Sequence, residues 1–102
     1  MKLTVVVARA LERYAGGQRR VAIAVDAVDR VDGAAVTVEV VLDALMAEFP
    51  ALRDRVFDEQ GAVRRHVNLF VNGESVRFTG GLKTPVDDGA EVAILPAVSG
   101  GQ

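Results

Sequence analysis

Thr37-Val38-Glu39-Val40-Val41-Leu42-Asp43-Ala44-Leu45-Met46-Ala47-Glu48-Phe49-Pro50 is the stretch on which the fold turns. Val38, Val41, Leu42, Leu45 and Phe49 recur at the i, i+3, i+4, i+7, i+11 spacing of one helical face. Glu39, Asp43 and Glu48 fall elsewhere on the wheel. Thr37 suits the N-cap, where a hydroxyl accepts from an amide of the first turn, and Glu39 lies near the positive end of the dipole. Pro50 stops the helix, because it has no N–H and disfavours helical geometry at Phe49. Residues 51–57 add a short turn of helix, with Leu52 and Val56 four apart. This is the only long helix the pattern predicts.

Upstream of it the period changes to two. Residues 3–8 read as a strand, and Val5-Val6-Val7, apolar on both faces, suits an inner strand covered on two sides. Residues 9–14 read as a connection, and Gly16-Gly17 supplies a turn. Residues 20–25 form a second strand, with Val21, Ile23 and Val25 on one face and the smaller Ala22 and Ala24 on the other. The spacing makes these two an antiparallel hairpin. Residues 26–35 carry Asp26, Asp29, Asp32 and Gly33 without a sustained period. Their spacing is not that of a calcium-binding EF-hand loop, and a solvated loop is expected.

Downstream, residues 65–71 alternate as a third strand. Asn72-Gly73 fits a tight type I′ turn, and residues 75–78 return as a short strand. Gly80-Gly81 and Pro85 mark an irregular crossing without the Lys and Ser/Thr of a phosphate loop. Asp88-Gly89 makes another turn, residues 91–95 form the last strand, and Pro96 ends the regular pairing. Strand, strand, helix, strand, short strand, strand is the order of a two-layer α+β sheet. Its simplest closure sets the first and last strands side by side, parallel, in the middle.

Composition bounds the chemistry. At 102 residues the chain is one domain's worth, and a net charge of −2 argues against wrapping nucleic acid through a large basic field. No apolar run reaches the roughly 20 residues that span a bilayer, so no membrane partner is expected and the expected address is cytoplasmic. With no cysteine there is no disulfide, thiolate metal site or Cys nucleophile. His66 is the one histidine, and no nucleophile motif surrounds the serines, so no catalytic residue and no metal site is expected. Arg64-Arg65-His66 reads either as a solvated strand entrance or as a dock for an acidic partner or a phosphate, and Arg19-Arg20 as hairpin solvation. The composition is that of a module acting through its surface or its ends.

Several words in order complete the reading: Thr37 to Leu42 opening the helix, Phe49-Pro50 closing it, Val71-Asn72-Gly73 at the hairpin and Asp88-Gly89-Ala90-Glu91-Val92 before the last strand. The ending is Ile94-Leu95-Pro96-Ala97-Val98-Ser99-Gly100-Gly101. Together these resemble the ubiquitin-like sulfur carriers of the MoaD/ThiS family over essentially the whole chain. Val76-Arg77-Phe78-Thr79-Gly80-Gly81-Leu82 and the Leu-Pro-Ala-Val ending lean toward the CysO type, the carrier of a cysteine-forming pathway. The resemblance implies a β-grasp domain over 1–98, about five strands with one main helix on one face, and a flexible tail over 99–102.

It also implies a function that needs no catalyst on the chain. An E1-like adenylating enzyme of the MoeB/ThiF type, using ATP that the carrier itself does not bind, activates the carboxylate of Gly101. The acyl adenylate becomes a thiocarboxylate, which gives its sulfur to a cysteine synthase-like or other synthase. Molybdopterin, thiamine and thiosugar pathways are further acceptors, and a ubiquitin-like conjugation or docking module is the alternative. Ser99, Gly100 and Gly101 would thread into partner active sites, where two residues without Cβ pass a narrow channel. Phe70, Phe78, Leu95 and Val98 are the expected docking residues, with burial of Phe70 and Phe78 against the helix as the other reading. One departure falls on the site: Gln102 follows Gly101, so the Gly101 carbonyl is an amide. Gln102 is then a segment removed by a JAMM-type zinc peptidase, an added or altered residue, or a permanent block.

Overall fold

The computed structural model describes residues 1–25 and 36–96. The solvated loop expected over 26–35 lies outside them. The strands are β1 (Lys2–Val7), β2 (Arg20–Ala24), β3 (Val67–Val71), β4 (Glu74–Ser75) and β5 (Glu91–Pro96), and the helices are α1 (Val38–Glu48) and α2 (Arg53–Val56). They form one mixed sheet in the order β2-β1-β5-β3-β4. β1 pairs antiparallel with β2 and parallel with β5, Val5 standing opposite Val92, so the first and last strands do lie side by side at the centre. The expected α+β architecture is present.

The main helix forms where its sequence places it. Thr37 is extended, and its Oγ1 accepts from the Val40 N–H at 3.5 Å. A second link fixes the same end: the Val38 N–H donates to the Thr84 carbonyl at 2.9 Å, and the Val86 N–H donates to Val36 at 2.8 Å. The helix entrance is thereby tied to the segment that leads into β5. Thr84 is buried, with its hydroxyl donating to the Gly81 carbonyl at 2.7 Å. The α1 face made of Val38, Val41, Leu42 and Leu45 is fully buried, with Met46 beside it. The helix ends at Glu48, and Pro50 opens a 3₁₀ turn that leads into α2. Leu52 and Val56, four residues apart, are both 0% exposed.

This layer packs on Leu3, Val5 and Val7 of β1, Val21 and Ile23 of β2, Val67 and Leu69 of β3, and Val92 and Ile94 of β5. Alternation along each strand puts the intervening residues on the opposite face. There Val6, Ala93, Leu95 and Phe70 are half-exposed, and Ala22 and Ala24 are exposed. β1 is therefore an inner strand, as expected, but covered on one side only among the described residues. Its second apolar row, Val6 with its β5 partner Ala93, lies on the open face.

Three local expectations need correction. Residues 9–14 are no plain connection: Arg9–Ala15 is a 3₁₀ helix closed by Gly16 at φ 67°, with Ala15 buried and Leu11 and Tyr14 half-buried. The third strand begins at Val67 instead of 65, because Arg65 and His66 form a turn in which the Val67 N–H donates back to the Arg64 carbonyl. The return strand is only Glu74–Ser75, since the Ser75 hydroxyl accepts from the Arg77 N–H and starts a 3₁₀ turn over Val76–Phe78. The hairpin turn itself is as expected: Asn72 and Gly73 have φ of 49° and 86°, both positive as type I′ requires. Asn72 also bonds reciprocally with Glu91, its N–H to the Glu91 carbonyl and its Oδ1 from the Glu91 N–H, which pins the turn to β5.

Candidate functional site

The site is an end and a face. β5 runs through the middle of the sheet and finishes at Pro96, whose register partner is Val67. Ser99, Gly100, Gly101, Gln102 and Val98, the residues expected to thread, carry sulfur, be processed or dock, continue from this point and lie outside the described residues. What the structure supplies is the base from which they extend. β1 and β5 are parallel, β1 ending at Val7 opposite Ile94 and β5 running on to Pro96, and the Ala8 N–H donates to the Ile94 carbonyl at 3.0 Å.

Two of the expected docking residues come together. Phe70 pairs with Ala93 and Asn68 with Leu95, which makes Phe70 and Leu95 diagonal neighbours on the open face of two central strands. Both are half-exposed, and the helix covers the other face, so neither is buried against it. Phe78 lies on neither of those strands. It is 84% exposed in the 3₁₀ turn after β4, the one large apolar side chain so placed among the described residues. An ion pair also crosses the open face: Arg20 on β2 reaches Glu91 on β5 at 3.1 Å, over β1 between them.

Around Pro96 the structure gathers residues that the sequence kept apart. Leu11 and Tyr14 from the 3₁₀ helix, Arg55 from α2, and His66 and Val67 at the start of β3 line one cleft with Pro96. The Arg55 guanidinium lies 4.5 Å from the centre of the Tyr14 ring. Arg64-Arg65-His66 thus stands beside the exit of the last strand, whereas Arg20 of the Arg19-Arg20 pair is tied to Glu91. Gly80 and Gly81 have φ of 119° and 60° and shape a tight turn into the segment that holds the helix entrance. The cleft was missed in the sequence because its walls come from four segments far apart in the chain. Its one readable trace was the spacing Ala8, Leu11, Tyr14, a period of three too short to separate from chance.

Comparison with known proteins bears on this geometry. The model of the ThiS family matches residues 13–101, a span that closes on Gly101. The sulfur carrier protein CysO of Mycobacterium tuberculosis is 38% identical over 103 residues, covering 99% of this chain and 100% of that protein. The crystal structure of SAMP1 from Haloferax volcanii superposes with a TM-score of 0.77 at 36% identity, covering 99% of this chain and 100% of that one. The BexX/CysO complex of Amycolatopsis orientalis contains a chain that superposes at 0.75 with 32% identity, covering 97% of this chain and 99% of that one. The sheet order, the single main helix and these likenesses establish the ubiquitin-like β-grasp fold.

Proposed function

The chain belongs to the ThiS family, and on that footing we propose that it is a sulfur-carrier protein of the CysO type whose working group is the carboxylate of Gly101. It is a protein co-substrate, and its partners supply ATP, metal and catalytic groups. The observation that carries the reading is the family match running through Gly101, on a chain alike to CysO along its whole length. Gln102 stands one residue beyond that match, and its removal frees the carboxylate.

The chemistry sets what each part does. A carboxylate is ionised at neutral pH, with a reference pKa of roughly 3.3 to 3.7, and is a poor acyl donor until a leaving group is attached. A Gly101 oxygen attacks the α-phosphorus of ATP on an E1-like enzyme and pyrophosphate departs. A sulfide-equivalent nucleophile then attacks the acyl carbon and AMP departs, leaving the thiocarboxylate. A cysteine synthase-like enzyme is the favoured acceptor, because the relative matched along its full length is CysO. Phe70 and Leu95 on the open sheet face form the docking surface for that acceptor, as half-exposed apolar neighbours on and beside the strand that leads to the tail.

The test is intact-mass analysis. Protein ending at Gly101, incubated with ATP, its E1-like enzyme and a sulfide source, is expected to gain the oxygen-to-sulfur mass difference on its C-terminal peptide. The chain still carrying Gln102 is expected to gain nothing. Activation of the Gln102 form, or no gain in either, would overturn the proposal. A second reading has its own support in the likeness to a small archaeal modifier: the same activated glycine would acylate a lysine of a partner. Stable adducts without any thiocarboxylate would favour it.

A further inference from the structure

The end of the molecule where β5 finishes carries a recessed apolar cleft with a positively charged rim. The cleft holds about 240 Å³. Its floor is Leu11, Tyr14, Val67 and Pro96, and Arg55 and His66 stand at its edge. Arg55 lies over the Tyr14 ring at 4.5 Å, and Arg13 lies 5.8 Å from the same ring. Arg64 is braced by its Nε donating to the Asp54 carbonyl at 2.8 Å, and it lines a shallow recess with Arg55 and His66. Arg9 and Arg65, both exposed, continue the rim in sequence. Against these five arginines the same segments offer two carboxylates, Glu12 and Asp54.

The ion pairs among the described residues involve none of the five. They join Arg20 to Glu91, Arg53 to Asp43 and Lys83 to Glu39. A chain with a net charge of −2 therefore concentrates positive charge at one end. Asp87 and Asp88 lie at the other, where the Lys2 N–H donates to the Asp88 carboxylate at 2.6 Å.

We propose that this cleft is the docking site for the activating enzyme, and that it seats an apolar side chain carried on an acidic loop at the mouth of that enzyme's tail channel. The inference rests on the sulfur-carrier reading, which makes Gly101 the group delivered. Reach supplies the first argument. The five residues from 97 to 101, fully extended, span at most about 18 Å. Whatever surface receives Gly101 thus lies against the end around Pro96. Charge supplies the second. Arginine offers a planar fork that meets carboxylates through two parallel hydrogen bonds, and the aromatic support under Arg55 lowers the entropy lost on ordering it. An acidic loop satisfies the rim while its apolar residue fills the floor, the arrangement of a central anchor with a polar surround.

The experiment measures binding and adenylation separately, with the Gly101-ending protein and its E1-like enzyme. Arg55→Glu/Arg64→Glu is expected to weaken binding on the order of 10- to 100-fold at low ionic strength, with the gap narrowing as salt rises. Lys2→Glu/Lys83→Glu reverses two charges away from the cleft and is expected to bind as wild type does. Thermal midpoints of both variants within a few degrees of wild type confirm that the fold is kept. Unchanged binding by the cleft variant, or equal weakening by the distal control, would each overturn the docking proposal. Wild-type adenylation with no effect of the cleft variant defeats the cleft and leaves the carrier reading intact. Cleft-dependent binding without any adenylate formed defeats the carrier reading and leaves the cleft.

Discussion

Gly16 and Gly73 both hold the left-handed conformation, with φ of 67° and 86°, yet they answer to different neighbours. At Gly73 an added Cβ would meet nothing within 4 Å, so substitution costs only the backbone term. At Gly16 the same atom would stand 3.1 Å from Cε1 of Phe49, the residue that closes α1. Gly73→Ala is therefore expected to cost about 1 kcal/mol, the usual penalty of a left-handed L-residue. Gly16→Ala is expected to cost more, about 2 kcal/mol, because the ring must also give way. For a domain of this size each kcal/mol lowers the thermal midpoint by about 4 to 8 °C, so scanning calorimetry separates the two. Equal losses would mean that Phe49 moves freely and that the 3₁₀ helix is not braced against the main one.

The sheet divides neighbouring residues between two jobs. Ile94 is 0% exposed under the helix, and Leu95, the next residue, points to the open face beside Phe70. Ile94→Ala removes buried methyl groups from a packed core and is expected to cost about 2 to 5 kcal/mol. Leu95→Ala is expected to cost under about 1 kcal/mol, since its side chain is only partly withdrawn from water. The second variant should nevertheless bind the sulfur-accepting partner more weakly, by about tenfold, if the open face docks. Chemical denaturation and a binding titration on the two variants test this. Unimpaired binding by Leu95→Ala would remove the sheet face from the docking surface.

What was legible at this scale follows period and punctuation. The helix from Thr37 to Pro50, the two-residue Asn72-Gly73 turn and the central parallel pair were readable because each repeats one strong signal over its length. The return strand was not. Val76 and Phe78 share a face if residues 75–78 are extended, but a 3₁₀ turn rotates each residue by about 120°. One is then buried and the other 84% exposed, in a turn held by the Ser75 hydroxyl and by the Thr79 N–H donating to the Val76 carbonyl. The same ambiguity hid Arg9–Ala15, whose apolar spacing of three spans barely two turns.

At the scale of the molecule, composition conceals what the fold arranges. A net charge of −2 reads as an ordinary surface, and only the meeting of residues 9–15, 53–56 and 64–67 at one end turns scattered arginines into a rim. The tail stands in the opposite relation to the fold, because its motif is legible in sequence and its use depends on what holds it. Among the described residues the last core side chain is Ile94 and the last paired residue is Pro96. A chain ending at Pro96 therefore keeps all five strands and every buried row of β1, β2, β3 and β5, and is expected to melt within about 4 °C of the full chain. It retains the cleft residues Tyr14, Arg55 and His66 and should still bind the activating enzyme. It has no Gly101, and no acyl adenylate should form. Melting, binding and adenylation on this one variant thus separate stability, docking and chemistry. Adenylation of the shortened chain would show that the delivered carboxylate is not the one at Gly101, and a large drop in melting temperature would show that the tail belongs to the folded unit.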